Sequence, residues 1–334
     1  MTASNGPQSF TGSACAKFIL MGEHFVVHGG VPALAFPVPS LGTRITVELE
    51  RQTVGRSQIS CEAFQAGVGG AWVHLPFLSA SMERATALAL GEFGIQLQGD
   101  ERLLVRSETN APVSRGFGSS AAFAAALARA LQGLAALRGL DAGASHVFAT
   151  VDALEKHFHG KPSGVDGATV LEGRPIRFEQ GVARPLIAED GAAEFVLVDG
   201  GDREVCKQLV AEVSRRREAQ PEEWLRMAQR LNTLVEAASV ALARGDIERL
   251  AAAVDENQNI LDVLGLSTAE IDSIIAQGRQ CGALGGKVSG AGAGGAVVLV
   301  ARPGQGERVK ECLRSRGIPA IATVTIEGAS HGTS

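Results

Sequence analysis

The stretch Pro112-Val113-Ser114-Arg115-Gly116-Phe117-Gly118-Ser119-Ser120-Ala121-Ala122 decides how the rest of the chain is read. Glycines at 116 and 118 let the backbone turn and approach a bulky anion closely. Ser119 and Ser120 stand where a helix begins, because Ala121 to Leu137 is alanine-rich and of high helix propensity. Unpaired N–H groups and the helix dipole favour phosphate at such a start. A serine hydroxyl there can also ligate Mg²⁺ beside phosphate oxygens. A plain serine N-cap after a glycine turn would use the same residues, so this stretch alone leaves both readings open.

Better-known phosphate motifs do not fit. Gly116 to Ala121 satisfies G-x-G-x-x-A, but Thr109 to Arg115 separates it from the preceding strand, and a dinucleotide fold needs the turn directly after the strand. Gly290-Ala291-Gly292-Ala293-Gly294-Gly295 also matches formally, yet it leads into Ala296-Val297-Val298-Leu299-Val300, which reads as a strand and not a helix. Lys287 has Cys281 six residues before it and Val288 after it, so there is no Walker motif.

Two further segments carry chemistry. Glu155-Lys156-His157-Phe158-His159-Gly160-Lys161-Pro162-Ser163-Gly164-Val165-Asp166 places one carboxylate near a helix end and a second at a tight turn. Phosphoryl transfer needs a metal ligand and a group that orients or deprotonates the attacking hydroxyl, and two carboxylates in separate settings can divide those tasks. The alternative is a solvated Glu155 and an Asp166 that caps the next helix. Near the start, Lys17-Phe18-Ile19-Leu20-Met21-Gly22-Glu23-His24 sets a cation inside an apolar strand, where it needs an anionic partner. Glu23, His24 and His28 follow on a loop, in either a structural or a functional role.

Composition narrows the class. The 334 residues are 45% hydrophobic and 20% charged, with a net charge of -5. That range accommodates one large or two moderate globular domains, and the charge argues against nucleic acid or a membrane surface as partner. The basic run Arg215-Arg216-Arg217 lies beside Glu212 and Glu218 and reads as a solvated helix face. Five scattered cysteines without a C-x-x-C pair predict reduced thiols in a cytoplasmic protein. No signal-like N-terminus and no membrane-length apolar run is apparent in the sequence.

Patterning predicts a polar, disordered tail over residues 1–11 and strands at Ala14–Met21 and Thr43–Leu49, with Gln58–Phe64 pairing with the latter. It also predicts strands at Arg102–Glu108, Phe195–Asp199, Val297–Ala301 and Ala320–Ile326. Helices are expected at Leu78–Phe93, Ala121–Leu137 and Ala142–His157, and through most of Glu204–Gln280. In the last of these, Leu225, Ala228, Leu231, Val235, Ala238 and Leu242 share one face. Strands and helices mix without regular alternation, which indicates an α+β fold of two lobes, residues 12–185 and 186–334.

Together these segments resemble the GHMP kinase superfamily, and within it the bacterial form of the branch that phosphorylates mevalonate. Gly22-Glu23-His24-Phe25-Val26-Val27-His28-Gly29 is similar to the family's first motif, residues 114–122 to its second, and Lys287 to Gly295 to its third. His159 to Asp166 matches the His-Gly-x-Pro-Ser-Gly-x-Asp signature. The resemblance runs over residues 13–301 and implies a ribosomal-S5-domain-2-like N-terminal lobe with an α/β C-terminal lobe.

By motif, Asp166 matches the catalytic base and Lys17 the lysine that contacts this aspartate and phosphate. Ser114, Arg115, Gly116, Phe117, Gly118, Ser119 and Ser120 match the ATP-binding loop, Ser120 and Glu155 the Mg²⁺ ligands, and Glu23, His24 and Asp166 the substrate-binding residues. ATP and Mg²⁺ are the implied cofactors and mevalonate the implied substrate, and a homodimer is left open. Three departures stand out: Ser13-Ala14-Cys15-Ala16 in place of Ala-Pro-Gly, Arg115 at a position that is commonly small, and a short segment Asp199 to Glu204 that lacks the family's threonine. A related GHMP kinase, for phosphomevalonate or another hydroxy acid, and a non-catalytic nucleotide sensor are the alternatives.

Overall fold

The computed structural model describes residues 7–28, 30–52, 57–67, 71–187, 192–201 and 206–327. The chain opens with β1 (Gln8–Met21), a short α1 (Phe25–His28), β2 (Ala33–Arg51), β3 (Gln58–Ala66) and β4 (Trp72–His74). There follow α2 (Ser79–Glu92), β5 (Glu101–Thr109), α3 (Ser119–Leu137), α4 (Ala144–His159) and α5 (Val165–Glu172). Strands β6 (Ile176–Glu179), β7 (Val182–Pro185) and β8 (Ala193–Asp199) precede four helices: α6 (Cys206–Ala219), α7 (Pro221–Arg244), α8 (Ile247–Val263) and α9 (Ala269–Gln280). The chain closes with β9 (Gly285–Val288), β10 (Ala296–Ala301), α10 (Gly306–Ser315) and β11 (Ala320–Ile326). The fold is α+β, as the pattern predicts.

Two compact units form. The first comprises Met1–Ala16, Leu41–Val113 and Ser119–Gly173; the second comprises Lys17–Ser40, Ser114–Gly118 and Arg174–Ser334. They are interleaved in sequence rather than parted by the single boundary expected at residue 185, because β1 and β2 are long enough for each to supply residues to both.

In the first unit the strands run β4-β3-β5-β2. Thr43 to Arg51 of β2 pairs antiparallel with β5, and β3 pairs with β5 in parallel. The expected β2–β3 pairing is therefore replaced by one in which β5 lies between them. Alternation cannot see this, since it reports which face is buried and not which strand is adjacent. Along β2 the alternation holds: Thr43, Ile45, Val47 and Leu49 are buried, and the residues between them are not. The core joins these strands to α2, α3 and α4 through Val105, Ala85, Leu127, Leu131 and Leu154 among others.

Helix α3 is long and apolar enough to cross a bilayer by composition, but most of it is buried in this core. Its alanines admit close neighbours. A Cβ on Gly12 would lie 2.0 Å from the Ala126 carbonyl oxygen, so β1 passes backbone to backbone across α3. The Phe10 ring packs against Gly133. This contact corrects the expected disordered tail: Gln8 to Thr11 already belong to β1, because Phe10 has apolar surface to bury. Residues 1–6 lie outside the described residues.

In the second unit Ala33 to Ala35 of β2 pairs with β6, and β6 with β7. A separate antiparallel sheet runs β11-β8-β10-β9. Helices α8 and α9 pack on β9 and β10, and α10 packs on β8 and β11. Phe18, Phe36 and Phe195 form a buried ring cluster with centroids 5.2–5.4 Å apart. On α7 the buried face is as expected except at its start, where Leu225 is exposed and Trp224 is buried. One residue rotates the helix face by about 100°, and Trp224 turns inward to stack on Phe25, with centroids 4.2 Å apart. The Arg215–Arg217 run pairs with Glu212, Glu223 and Glu218 on α6 and α7, as a solvated face should.

The thiol expectation needs correction at two positions. Cys281, at the end of α9, and Cys312, in α10, form a disulfide. Packing of α10 beside α9 brings residues 31 apart in sequence to a Cα separation of 5.7 Å, which spacing along the chain does not reveal. Cys61 is a buried thiol, and burial pushes it up to about 12. At pH 8 only about one part in ten thousand would be thiolate, the reactive form. Alkylation of the native protein at pH 8, followed by peptide mapping, should leave Cys61 unmodified and label Cys281 and Cys312 only after reduction. Prompt labelling of Cys61, or of Cys281 without reductant, would contradict this placement.

Candidate functional site

The second unit holds the cation and the glycine loop. Lys17 is only 2% exposed, and its backbone N–H donates to the Phe117 carbonyl at 2.9 Å. Phe117 is fully buried and anchors the loop. Positive φ at Ser114 (62°), Gly116 (87°) and Gly118 (71°) turns alternate peptide units, the kind of backbone that gathers N–H groups around an anion. A Cβ on Gly118 would lie 2.7 Å from Lys17 Cγ and 2.8 Å from its Cε, so the lysine stem lies along the glycine. Sequence therefore located both features, and the structure brings them into contact. Arg115, the departure from the family pattern, lies 3.7 Å from Asp199, whose carboxylate also accepts the Gly201 N–H at 3.0 Å. Residues 202–204 of the segment noted as short lie outside the described residues.

The turn after β1 is equally constrained. Gly22 has φ 94°, and a Cβ there would lie 2.3 Å from the Pro32 carbonyl oxygen. His24 takes φ 58°, and its Nε2 lies 3.2 Å from the Ala291 carbonyl. A carbonyl can only accept, so Nε2 carries the proton. Glu23 is 2% exposed and forms a buried ion pair with Lys287, whose Nζ also donates to the Val288 carbonyl at 2.5 Å. Burial holds the Lys287 ammonium below the ordinary lysine range, and the Glu23 carboxylate works against that. Ser289 is fully buried; its hydroxyl accepts the Ile19 N–H and donates to the Ile19 carbonyl, both at 2.9 Å.

Sequence reading missed Lys287 as a partner of this turn and Ser289 as a partner of β1. The signal was present: Lys287 stands alone in a short apolar strand, as Lys17 does.

The first unit holds the carboxylates. Ser120 lies in the first turn of α3, and its hydroxyl hydrogen-bonds His159 Nε2 at 2.9 Å. The same nitrogen is 3.9 Å from a carboxylate oxygen of Glu155, one turn back on α4. Glu155 is 4% exposed, so its solvated alternative does not hold. Asp166 is half-buried in the first turn of α5. The preceding helix ends at Gly160 (φ 76°), and the new one begins after Gly164 (φ 86°). Ser163 accepts the Val165 N–H at 3.3 Å. The N-cap is Gly164, so Asp166 is not the cap.

Ser120 and Glu155 are two hard oxygen donors in one cluster with His159. Mg²⁺ takes one or two such protein ligands and completes its shell with phosphate and water, and the pair fits that requirement. Among the described residues no group of three or more His, Cys, Asp or Glu is arranged to hold a metal.

Two family models match the chain: "GHMP kinases N terminal domain" over residues 83–174 and "GHMP kinases C terminal" over residues 238–319. Mevalonate kinase from Pyrococcus furiosus is 32% identical over 335 residues, covering 95% of this chain and 96% of that protein. Mevalonate kinase from Thermococcus gammatolerans is 31% identical over 334 residues, with the same coverage. The crystal structure of L. major mevalonate kinase in complex with R-mevalonate superposes with a TM-score of 0.79 at 25% identity, covering 98% of this chain and 99% of that one.

Three substitutions test the site geometry. Gly118→Ala adds a methyl at positive φ against the Lys17 stem, and should weaken binding of ADP or a non-hydrolysable ATP analogue by roughly tenfold or more while the protein stays folded. Calorimetry that finds an unchanged dissociation constant would separate this loop from the nucleotide. Ser120→Ala and Glu155→Gln should each raise the Mg²⁺ requirement, because a hard cation loses an oxygen or exchanges a carboxylate for a weaker amide. Rate against free Mg²⁺ at saturating ATP is the measurement, and unmoved curves for both variants would remove the metal assignment.

Proposed function

The chain belongs to the GHMP kinases and among them to the mevalonate kinases, and from that premise we propose that it transfers the γ-phosphoryl group of ATP to the primary hydroxyl of mevalonate. The products are 5-phosphomevalonate and ADP. One observation carries the reading for this chain's own residues: a buried lysine, Lys17, lies along Gly118 and is tied by its backbone to Phe117. A cation fixed against a loop of turned amides suits a nucleotide's phosphates.

In the proposed reaction the amides of residues 114–120 hold the phosphates, and the loop 289–295 closes against them. Lys17 offsets the charge that grows on the phosphoryl oxygens during transfer. Asp166 accepts the proton of the mevalonate hydroxyl as its oxygen attacks phosphorus and the bond to the leaving ADP breaks. His24 contacts the mevalonate; R-mevalonate is the ligand in the L. major structure. Mg²⁺, held by Ser120 and Glu155, would screen the phosphate charge. The cytoplasm is the compartment we propose, as expected from the sequence.

Release of ADP against mevalonate, phosphomevalonate, galactose and homoserine tests the substrate; a preference for any but mevalonate would overturn it. Asp166→Asn should keep nucleotide affinity and lower turnover by about a hundredfold or more. Retention of over about a tenth of the wild-type rate would exclude Asp166 as the base. Lys17→Met should also lower turnover sharply, and the double variant should be scarcely worse than the poorer single, since residues acting as a unit are not additive. Additive losses in rate would mean that Lys17 and Asp166 serve separate steps.

A further inference from the structure

The pair between Glu23 and Lys287 is the most deeply buried ion pair among the described residues, with side chains 1% and 0% exposed. No role assigned above uses Lys287. Two charges taken out of water are costly, and an apolar pair of similar size commonly serves stability as well or better. A fixed register is the best-attested reason to keep such a pair.

The surroundings supply something to register. Ile19 is joined to Ser289 by two hydrogen bonds, Glu23 to Lys287 by the ion pair, and His24 to the Ala291 carbonyl by its Nε2. The three links tie the same two segments at separate points, 19 to 289, 23 to 287 and 24 to 291. Both segments need help to hold their shape. His24 has positive φ without being glycine, a conformation that persists only where neighbours enforce it. The loop from Gly290 to Gly295 has positive φ at Gly290, Gly292, Ala293, Gly294 and Gly295, and such a glycine-rich run is conformationally free on its own.

We infer that Lys287 is a positioning residue which, through Glu23, locks the His24 turn to the 289–295 loop, so that one buried ion pair sets the geometry for binding both acceptor and nucleotide. Glu23 then acts through Lys287 and does not touch the substrate. The inference rests on the proposed assignment of His24 to the acceptor and of the 289–295 loop to the nucleotide. Direction is what the charges supply: Nζ is held between the Glu23 carboxylate and the Val288 carbonyl, whereas an apolar contact has no preferred orientation.

The test uses Lys287→Met, Glu23→Gln and the double variant Glu23→Leu with Lys287→Met. Each single leaves one buried charge without its partner and should lower the melting temperature. The apolar double should recover it, so a folded protein is at hand for kinetics. In the double, the KM values for mevalonate and for ATP should both rise by about tenfold or more, kcat should change less than either, and the Kd for ADP should rise with the KM for ATP. Wild-type kinetics in the stable double would reduce the pair to a fold support and overturn the inference. A rise in the mevalonate KM alone, with ADP affinity unchanged, would overturn it by making Glu23 a substrate contact. Wild-type protein that binds ADP but does not turn over mevalonate would instead remove the proposed function, and the ADP arm would still read the clamp.

Discussion

Strand β1 is held at successive points by backbone approach, and the approach is possible only where side chains are missing or small. Gly12 passes against the α3 backbone. Lys17 donates its amide to Phe117 and lies along Gly118. Ile19 exchanges two hydrogen bonds with Ser289. A side chain larger than those present would open any one of these contacts, since interiors are too densely packed to absorb the volume. The alanine-rich character of α3 follows from the same demand, as most of its alanines are fully buried.

This closeness also makes two buried lysines workable. An ammonium group removed from water needs a negative partner and further acceptors to offset its lost hydration. Lys287 has both, in Glu23 and the Val288 carbonyl. Lys17 is buried to a similar degree in a strand whose other buried side chains are apolar. In the proposed reaction a charge fixed in this way at Lys17 would need no reorganisation when a phosphate group arrives, which is how preorganised groups gain catalytic value.

Elements whose identity depends on near neighbours in sequence were legible from it. The alternation of β2, the alanine-rich α3, the stop at Gly160 and the strand character of Ala296–Ala301 all report local preferences, and the structure places each within a few residues of expectation. Where partners lie far apart in the chain, local preference carries no information. The insertion of β5 between β2 and β3, the disulfide of Cys281 with Cys312 and the inward turn of Trp224 onto Phe25 are of that kind. So is the start of β1, which draws its order from the contact between Phe10 and Gly133.

The candidate site divides along the same line. Sequence by itself singled out Lys17, the loop 114–120, Glu155 and Asp166, because an ammonium in an apolar strand, glycines before a serine helix start and paired carboxylates are chemically odd wherever they occur. Only the tertiary structure decided that Glu155 is buried and grouped with Ser120 and His159, and that Lys17 rests on Gly118. It alone showed that one carboxylate oxygen of Glu23 pairs with Lys287, 264 residues away. The reason is physical: a residue's own chemistry is written at its position, but its ionic partner and its burial are set by whichever segments the packed core brings beside it.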